Sequence, residues 1–170
     1  MERNLKRWTN AYDLAQTEEI QEVTRLRDYL EEHLPRNGAA VLDWEISTIG
    51  DPLSDLATFL FAHYNSFVHK DFPCIGHQSD QQLRRLGIPT IEEVISEYER
   101  CSGRKIDRKE WKKYVAFVFY RMTCIVQGVY MRSITKQAAN PNAPMLAPLP
   151  RYFAKLALEL VEEKGNIGQF

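Results

Sequence analysis

The sequence has few cysteines, no excess of charge and no long apolar run, and each feature excludes a class of protein. Its three cysteines, Cys74, Cys101 and Cys124, are odd in number and show no C-x-x-C spacing, which predicts reduced thiols rather than a disulfide framework. The 22 basic and 23 acidic residues give a net charge of −1, so no overall positive field attracts nucleic acid. No stretch approaches the roughly 20 apolar residues that span a bilayer. We expect an intracellular protein, with mitochondrial, peroxisomal and cytoplasmic locations all open.

The chain does contain enough apolar residues for one folded domain with a core, and their spacing is helical almost throughout. It has 170 residues, of which 44% are hydrophobic and 26% charged. Apolar residues recur every three or four positions, which predicts a mainly α fold with a single short strand at 39–44. The predicted helices cover about 5–16, 17–34 (with Thr17 as N-cap), 51–64, 90–101, 107–135 and 150–164, and we expect 65–89 and 140–150 to be irregular.

Two carboxylates end the predicted strand. Asp43 and Glu45 are two residues apart, so on a strand they project to the same face. Paired carboxylates at a strand end suit a hard divalent cation such as Mg²⁺, although such a pair is more often solvated. No neighbouring segment shows an obvious hairpin pattern that would pair with Val41.

The next helix begins with a strong capping signal. Asp51 precedes Pro52, which predicts an N-cap followed by a proline at the first helical position. Asp55 falls in the first turn of the same helix, where its carboxylate can accept backbone N–H groups from a neighbouring loop.

The segment VLDWEISTIGDPLSDLA, residues 41–57, resembles the metal-binding segment of aminoglycoside phosphotransferase-like kinases, in particular the branch fused to acyl-CoA dehydrogenases. The likeness extends to residues 5–35, 98–104 and 114–132, and therefore to most of the chain. It implies the helical C-terminal lobe of a protein-kinase-like fold. Intact relatives would use ATP and Mg²⁺ to phosphorylate a hydroxyl on a small molecule or on a hydroxyacyl-CoA.

The resemblance also implies roles for four acidic residues. Asp43 matches the aspartate that binds Mg²⁺ on the nucleotide phosphates, and Glu45 occupies a position that supports a second metal or its waters. Asp55 matches an aspartate that braces the catalytic loop, while Asp51 shapes the turn and caps its helix.

The chain departs from the family before its strand. The family places an H-G-D…N catalytic loop and a hairpin there, whereas Pro35-Arg36-Asn37-Gly38 leads directly into Ala39, so about twenty residues are expected to be missing. The later triplet His69-Lys70-Asp71 has no Asn at the required distance and is a decoy. We therefore expect a single partial domain over 1–170, with helices at 1–36 and the metal-binding segment and C-lobe at 39–170.

The loss predicts a truncated phosphotransferase that is inactive and binds neither ATP nor Mg²⁺ well, since the base and the nucleotide-binding N-terminal lobe are both expected to be missing. Splicing, a gene-prediction error or deletion would each produce the junction at Gly38–Ala39. The alternative is a non-catalytic helical module that associates with itself or with a full-length relative.

Three other groups have both a functional and a structural interpretation. A zinc site would need His69, Cys74 and His77 with a distant fourth ligand such as Cys101, and incidental placement is the commoner case. The second group is basic and would either bind phosphate or form a solvated helix start. The third group would either line an acceptor pocket or be buried with hydrogen-bond partners. The basic group is Arg104, Lys105, Arg108, Lys109, Lys112 and Lys113, and the third group is Arg121, Gln127, Tyr130 and Arg132.

Overall fold

The computed structural model describes residues 1–34, 40–41, 49–65, 76, 78–137 and 141–162. These ranges are mainly helical, which confirms the predicted fold class. The helices are α1 (Glu2–Ala15), α2 (Gln21–His33), α3 (Pro52–Phe59), α4 (Phe61–Tyr64), α5 (Asp80–Arg85), α6 (Ile91–Ser102), α7 (Arg108–Ile134) and α8 (Leu149–Val161), with a 3₁₀ turn at Ala143–Leu146 and two strands, β1 (Ala40–Val41) and β2 (Ile49–Gly50).

Helix α7 forms the centre of the core. It contacts α1, α2, α3 and α8, and Trp111, Phe117, Phe119 and Tyr120 on it are almost fully buried. Its 27 residues extend about 40 Å at 1.5 Å per residue. By length and composition it could cross a membrane, but 67% of its apolar window is buried against the rest of the protein. The apolar composition of α7 is therefore explained by its central position in the core.

Local capping rules predict several helix ends correctly. The pattern Thr90-x-x-Glu93 predicts a capping box at the start of α6, and both of its hydrogen bonds are present; Gly103 ends that helix at φ 69°. The pattern Asp107-x-x-Glu110 predicts a second box at the start of α7. Asp107 does cap α7 by accepting a 2.7 Å hydrogen bond from the Lys109 N–H, whereas Glu110 pairs with Lys113.

Three local predictions are wrong. A long-range contact overrides the first, and the other two concern segments that contain short helical elements. Helix α2 begins after Ile20 rather than Thr17, and the Thr17 hydroxyl instead accepts a 3.1 Å hydrogen bond from Gln127. The segment expected to be irregular contains α5, which starts with a Ser79–Gln82 capping box. The segment 140–150, also expected to be irregular, contains the 3₁₀ turn, and α8 begins within it at Leu149.

Strand β1 has a partner that the sequence did not reveal. It pairs antiparallel with β2, with Ala40 opposite Gly50 and Val41 opposite Ile49. The expectation of an unpaired strand is therefore wrong over these residues. The ladder is only two residues long, which is too short for an alternating apolar pattern to be visible.

Candidate functional site

The two predicted metal ligands, Asp43 and Glu45, lie outside the residues that the structure describes. They fall in the sequence between β1 and β2, whose pairing brings Val41 and Ile49 opposite each other. The structure therefore describes only the residues that surround the candidate site in the sequence and in the fold. They are the two strands, the start of α3 and the α7 residues that contact it, and we call this set the frame.

Asp51 is the central polar residue of this frame and is only 2% exposed. Its Oδ1 accepts a 3.1 Å hydrogen bond from the Leu53 N–H, so it caps α3 as predicted, with Pro52 at the first helical position. Its Oδ2 accepts a 2.5 Å hydrogen bond from the Tyr114 hydroxyl on α7. Each carboxylate oxygen therefore has a donor, as burial of a carboxylate requires.

The Tyr114 hydroxyl remains a donor over a wide pH range. Burial and then its hydrogen bond to Asp51 raise the pKa of Tyr114 above its ordinary value of 10.0. Near neutral pH the phenol is protonated and can donate to the carboxylate. No local sequence pattern predicts this contact, because Tyr114 and Asp51 are 63 residues apart.

Two more side chains of α7 hold the rest of α3 and α4. The Trp111 indole Nε1 donates a 2.7 Å hydrogen bond to the Tyr64 hydroxyl at the end of α4. Arg121 donates from Nη2 to the Thr58 hydroxyl at 2.6 Å, and that hydroxyl donates to the backbone oxygen of Ser54 at 2.7 Å. Polar contacts from α7 thus reach both ends and the middle of the segment 51–64.

Asp55 lies in the first turn of α3 and is partly exposed. That position agrees with the sequence-based placement. Its implied role as the brace of a catalytic loop stays a prediction.

At least three of the six cations in the basic group pair with carboxylates in the described structure. Lys105 pairs with Glu99 at 2.9 Å, Arg108 with Glu92 at 2.8 Å and Lys113 with Glu110 at 2.5 Å. These ion pairs agree with a solvated helix start, and phosphate binding by this group stays a prediction.

The candidate zinc site has no structural support within the described ranges. His69, Cys74 and His77 lie outside them, and the exposed Cys101 contacts Arg100 and Glu97. Across those ranges no group of three or more His, Cys, Asp or Glu is placed to hold a metal.

The polar residues in the middle of α7 are buried with partners, as the commoner interpretation predicted. Gln127 is 2% exposed and donates a 2.9 Å hydrogen bond to the backbone oxygen of Ala15. Arg121 is 8% exposed and donates to Thr58. Farther along α7, Tyr130 is half-buried and Arg132 is exposed, so burial does not extend to this end of the group.

One concave surface was not predicted from the sequence. A groove of about 890 Å³ lies between the start of α1 and the end of α2. Its lining combines acidic and apolar side chains with a lysine, and it comprises Met1, Glu2, Leu5, Lys6, Thr9, Glu31, Glu32 and Leu34.

Comparison with known proteins gives relatives of one kind, although no family model matches the chain. The chain is 35% identical to acyl-CoA dehydrogenase family member 10 of Mus musculus over 96% of its own length and 17% of the relative's. It is 31% identical to family member 11 of Homo sapiens, over 93% of the chain and 23% of the relative. The chain thus spans less than a quarter of these relatives.

The fold gives a second match. The crystal structure of a candidate aminoglycoside phosphotransferase from Ralstonia eutropha JMP134 superposes with a TM-score of 0.80 at 27% identity. The superposition covers 95% of this chain and 55% of that chain. Both comparisons agree with the resemblance carried by residues 41–57. The chain therefore belongs to the aminoglycoside phosphotransferase-like kinases, as a helical C-terminal lobe related to the kinase-like domain of the acyl-CoA dehydrogenase fusion proteins.

Proposed function

We propose that this chain is the C-terminal lobe of an ATP-dependent small-molecule kinase that has lost its catalytic loop and is inactive as it stands. One observation carries the proposal. The fold matches a phosphotransferase over 95% of the chain, yet no H-G-D…N sequence precedes the strand at Val41. The scaffold is therefore retained without the residues that orient and deprotonate the acceptor hydroxyl.

The lengths of the alignments support an internal loss. The match to the mouse relative extends over 187 positions, whereas 96% of the 170 residues is about 163, which leaves about 24 positions without a counterpart. The human relative gives a similar difference, because 93% of the chain is about 158 residues against 182 positions. Both differences agree in size with a missing catalytic loop and strand.

The donor set of the acidic segment fits magnesium. Asp43 and Glu45 supply carboxylate oxygens, the ligands that Mg²⁺ prefers, and no softer donor lies between them. In an intact kinase the bound ion would neutralise charge on the nucleotide phosphates. In this chain Asp43 would hold the ion and Glu45 would hold a second ion or its waters, while Asp55 would brace the catalytic loop in relatives that have one. We expect weak binding here because Mg²⁺ held by one or two carboxylates keeps most of its waters.

Magnitudes explain why the carboxylates alone are not enough. A general base contributes about 10²–10⁴-fold to the rate, and positioning of the reactants contributes about 7–11 kcal/mol more. Asp43 cannot supply either contribution, because its proposed role is to bind metal. Loss of both leaves no useful phosphoryl transfer.

The acceptor of intact relatives is proposed to be a hydroxyl on a small molecule, and a hydroxyacyl-CoA is the favoured class. The support is the name of the matched relatives, which are acyl-CoA dehydrogenase family members. A dehydrogenase of that name acts on acyl-CoA thioesters, so a kinase-like part of the same chain would encounter related molecules.

A phosphoryl-transfer assay tests the proposal. The 170-residue chain is incubated with [γ-³²P]ATP, Mg²⁺ and panels of hydroxyacyl-CoA and aminoglycoside acceptors, beside an intact aminoglycoside phosphotransferase as the positive control. We expect no transfer above the background of the Asp43→Ala variant. Robust turnover that Asp43→Ala abolishes would overturn the claim of inactivity.

A second candidate function is a helical interaction module that associates with itself or with a full-length relative. It is favoured by three large apolar side chains that are well exposed, namely Leu14 at 85%, Phe59 at 65% and Leu86 at 64%. Size-exclusion chromatography with light scattering, alone and with the intact relative, decides between the two. A monomer that does not bind the relative would contradict this candidate.

A further inference from the structure

We propose that Tyr114 is a positioning residue that fixes the start of α3, which follows β2 and the acidic segment in the sequence, to the helical core through Asp51. The inference rests on the proposed function, since the acidic segment is assigned there as the metal-binding part of the chain. It concerns a residue that neither the sequence motifs nor the comparisons assign to the site.

The two oxygens of Asp51 have different tasks. Oδ1 caps α3 by accepting the Leu53 N–H, a local role that Ser, Thr or Asn can also perform. Oδ2 accepts the Tyr114 hydroxyl at 2.5 Å, which joins the start of α3 to the core helix α7. A second acceptor oxygen at position 51 requires a carboxylate, because Ser, Thr and Asn side chains each have a single oxygen. The identity of residue 51 is therefore explained by its bond to Tyr114 as well as by capping.

The position of Asp51 gives that bond its effect on the site. Asp51 directly follows Gly50, which lies in β2 opposite Ala40 of β1. The two strands flank residues 42–48 in the sequence, so the backbone held by Asp51 is one end of the acidic segment. Tyr114 itself is 3% exposed on the buried core helix, which provides a fixed support.

Tyr64 provides a matched control. Its hydroxyl also bonds to α7, through Trp111 at 2.7 Å, and it is similarly buried at 2% exposed. However, it lies at the end of α4, the end of segment 51–64 that is farther from β2 in the sequence. If Tyr114 contributes only to overall stability, loss of its hydroxyl and loss of the Tyr64 hydroxyl should have similar effects on amide exchange and on Mn²⁺ binding.

The experiment compares Tyr114→Phe, Asp51→Ser and the control Tyr64→Phe in the full chain. Hydrogen exchange by mass spectrometry reports on the amides between Ile49 and Leu53, and electron paramagnetic resonance titration with Mn²⁺ reports on the metal site. Thermal unfolding reports on overall stability. An Asp43→Asn variant shows whether the Mn²⁺ signal comes from the proposed ligand.

We expect Tyr114→Phe to accelerate exchange between Ile49 and Leu53 by about tenfold and to weaken Mn²⁺ binding by about the same factor. Asp51→Ser should behave similarly, because the serine hydroxyl can still cap α3 but is too short to accept the hydrogen bond from Tyr114. Tyr64→Phe should lower Tm without either local effect.

The inference is overturned if Tyr114→Phe and Tyr64→Phe accelerate this exchange equally, or if Tyr114→Phe leaves Mn²⁺ affinity at the wild-type value. If instead Asp43→Asn has no effect on Mn²⁺ binding, or the wild type binds none, the metal assignment fails. The exchange comparison then still decides whether Tyr114 positions the backbone between Ile49 and Leu53.

Discussion

The indole of Trp111 donates a hydrogen bond to the hydroxyl of Tyr64, and these residues, 47 apart in sequence, join the start of α7 to the end of α4. Both side chains are buried, so neither group has water as an alternative partner. Burial raises the pKa of Tyr64, although the Trp111 bond lowers it in part. The pair is one of the polar contacts by which α7 holds segment 51–64.

Removal of the Tyr64 hydroxyl tests this contact. Tyr64→Phe leaves the buried Trp111 N–H without its acceptor, so we expect the free energy of unfolding to fall by about 1–3 kcal/mol. Urea denaturation measures the change. Tyr98→Phe, at a half-buried position on α6, is the control and should alter stability by less than about 0.5 kcal/mol. Equal effects of the two changes would contradict the prediction.

Gln127 is expected to hold the connection between α1 and α2. Its Nε2 donates to the backbone oxygen of Ala15 at 2.9 Å and to the Thr17 hydroxyl at 3.1 Å. Gln127→Leu removes both bonds and should cost about 1–3 kcal/mol of unfolding free energy while accelerating amide exchange at 16–20. Gln81→Leu, at an exposed position on α5, serves as the control. Unchanged exchange at 16–20 in the Gln127 variant would count against this role.

Two glycines give opposite predictions for the same substitution. Gly103 ends α6 at φ 69°, so Gly103→Ala places a side chain in the left-handed region and should destabilise by about 1 kcal/mol. Gly128 lies within α7, where an added Cβ would meet the Arg132 guanidinium at an ordinary 3.6 Å. Gly128→Ala should therefore stabilise by up to about 1 kcal/mol. Thermal unfolding of both variants checks the signs, and the same sign in both would refute the argument.

Acid should weaken the region around α6. The backbone N–H of Ile106 and then Lys105 lower the pKa of Glu99, and the Thr90 N–H followed by Arg84 lowers that of Glu93. The Arg100 guanidinium lowers the pKa of Glu97 to about 2. Because the unfolded chain binds these protons more readily, the stabilisation is present above the ordinary value of 4.5 and is lost as pH falls through the lowered pKa values.

Urea titrations between pH 6 and pH 2 measure this loss. Glu99→Gln should make the free energy of unfolding less dependent on pH below 4.5. Glu159→Gln, on α8 and 3.8 Å from Lys155, is the matched control and should leave the slope nearly unchanged. A slope that is the same in wild type and Glu99→Gln would exclude Glu99 as a source of acid sensitivity.

Sequence reasoning succeeded where the deciding contacts are local. The Asp51-Pro52 start of α3 and the Thr90–Glu93 box are fixed by residues within four positions, so their patterns are readable directly. It failed at Thr17, whose hydroxyl binds Gln127, 110 residues away, rather than capping a helix. The bond between Tyr114 and Asp51 is hidden for the same reason.

The segment predicted to bind metal shows a different limit. Its acidic pattern is visible at Asp43 and Glu45, and only the resemblance implies roles for them. The pairing of β1 with β2 could not be predicted, because two residues on each strand contain no detectable periodicity.

The direct packing of α1, α2, α7 and α8 against one another bears on how much the connection between α2 and α3 can vary. Their contacts lie outside the connection between Leu34 and Asp51. Loop-closure entropy changes by only about 0.6 kcal/mol for each doubling of a flexible loop. Relatives that share this four-helix packing can therefore differ in the length of the connection at little cost in folding free energy.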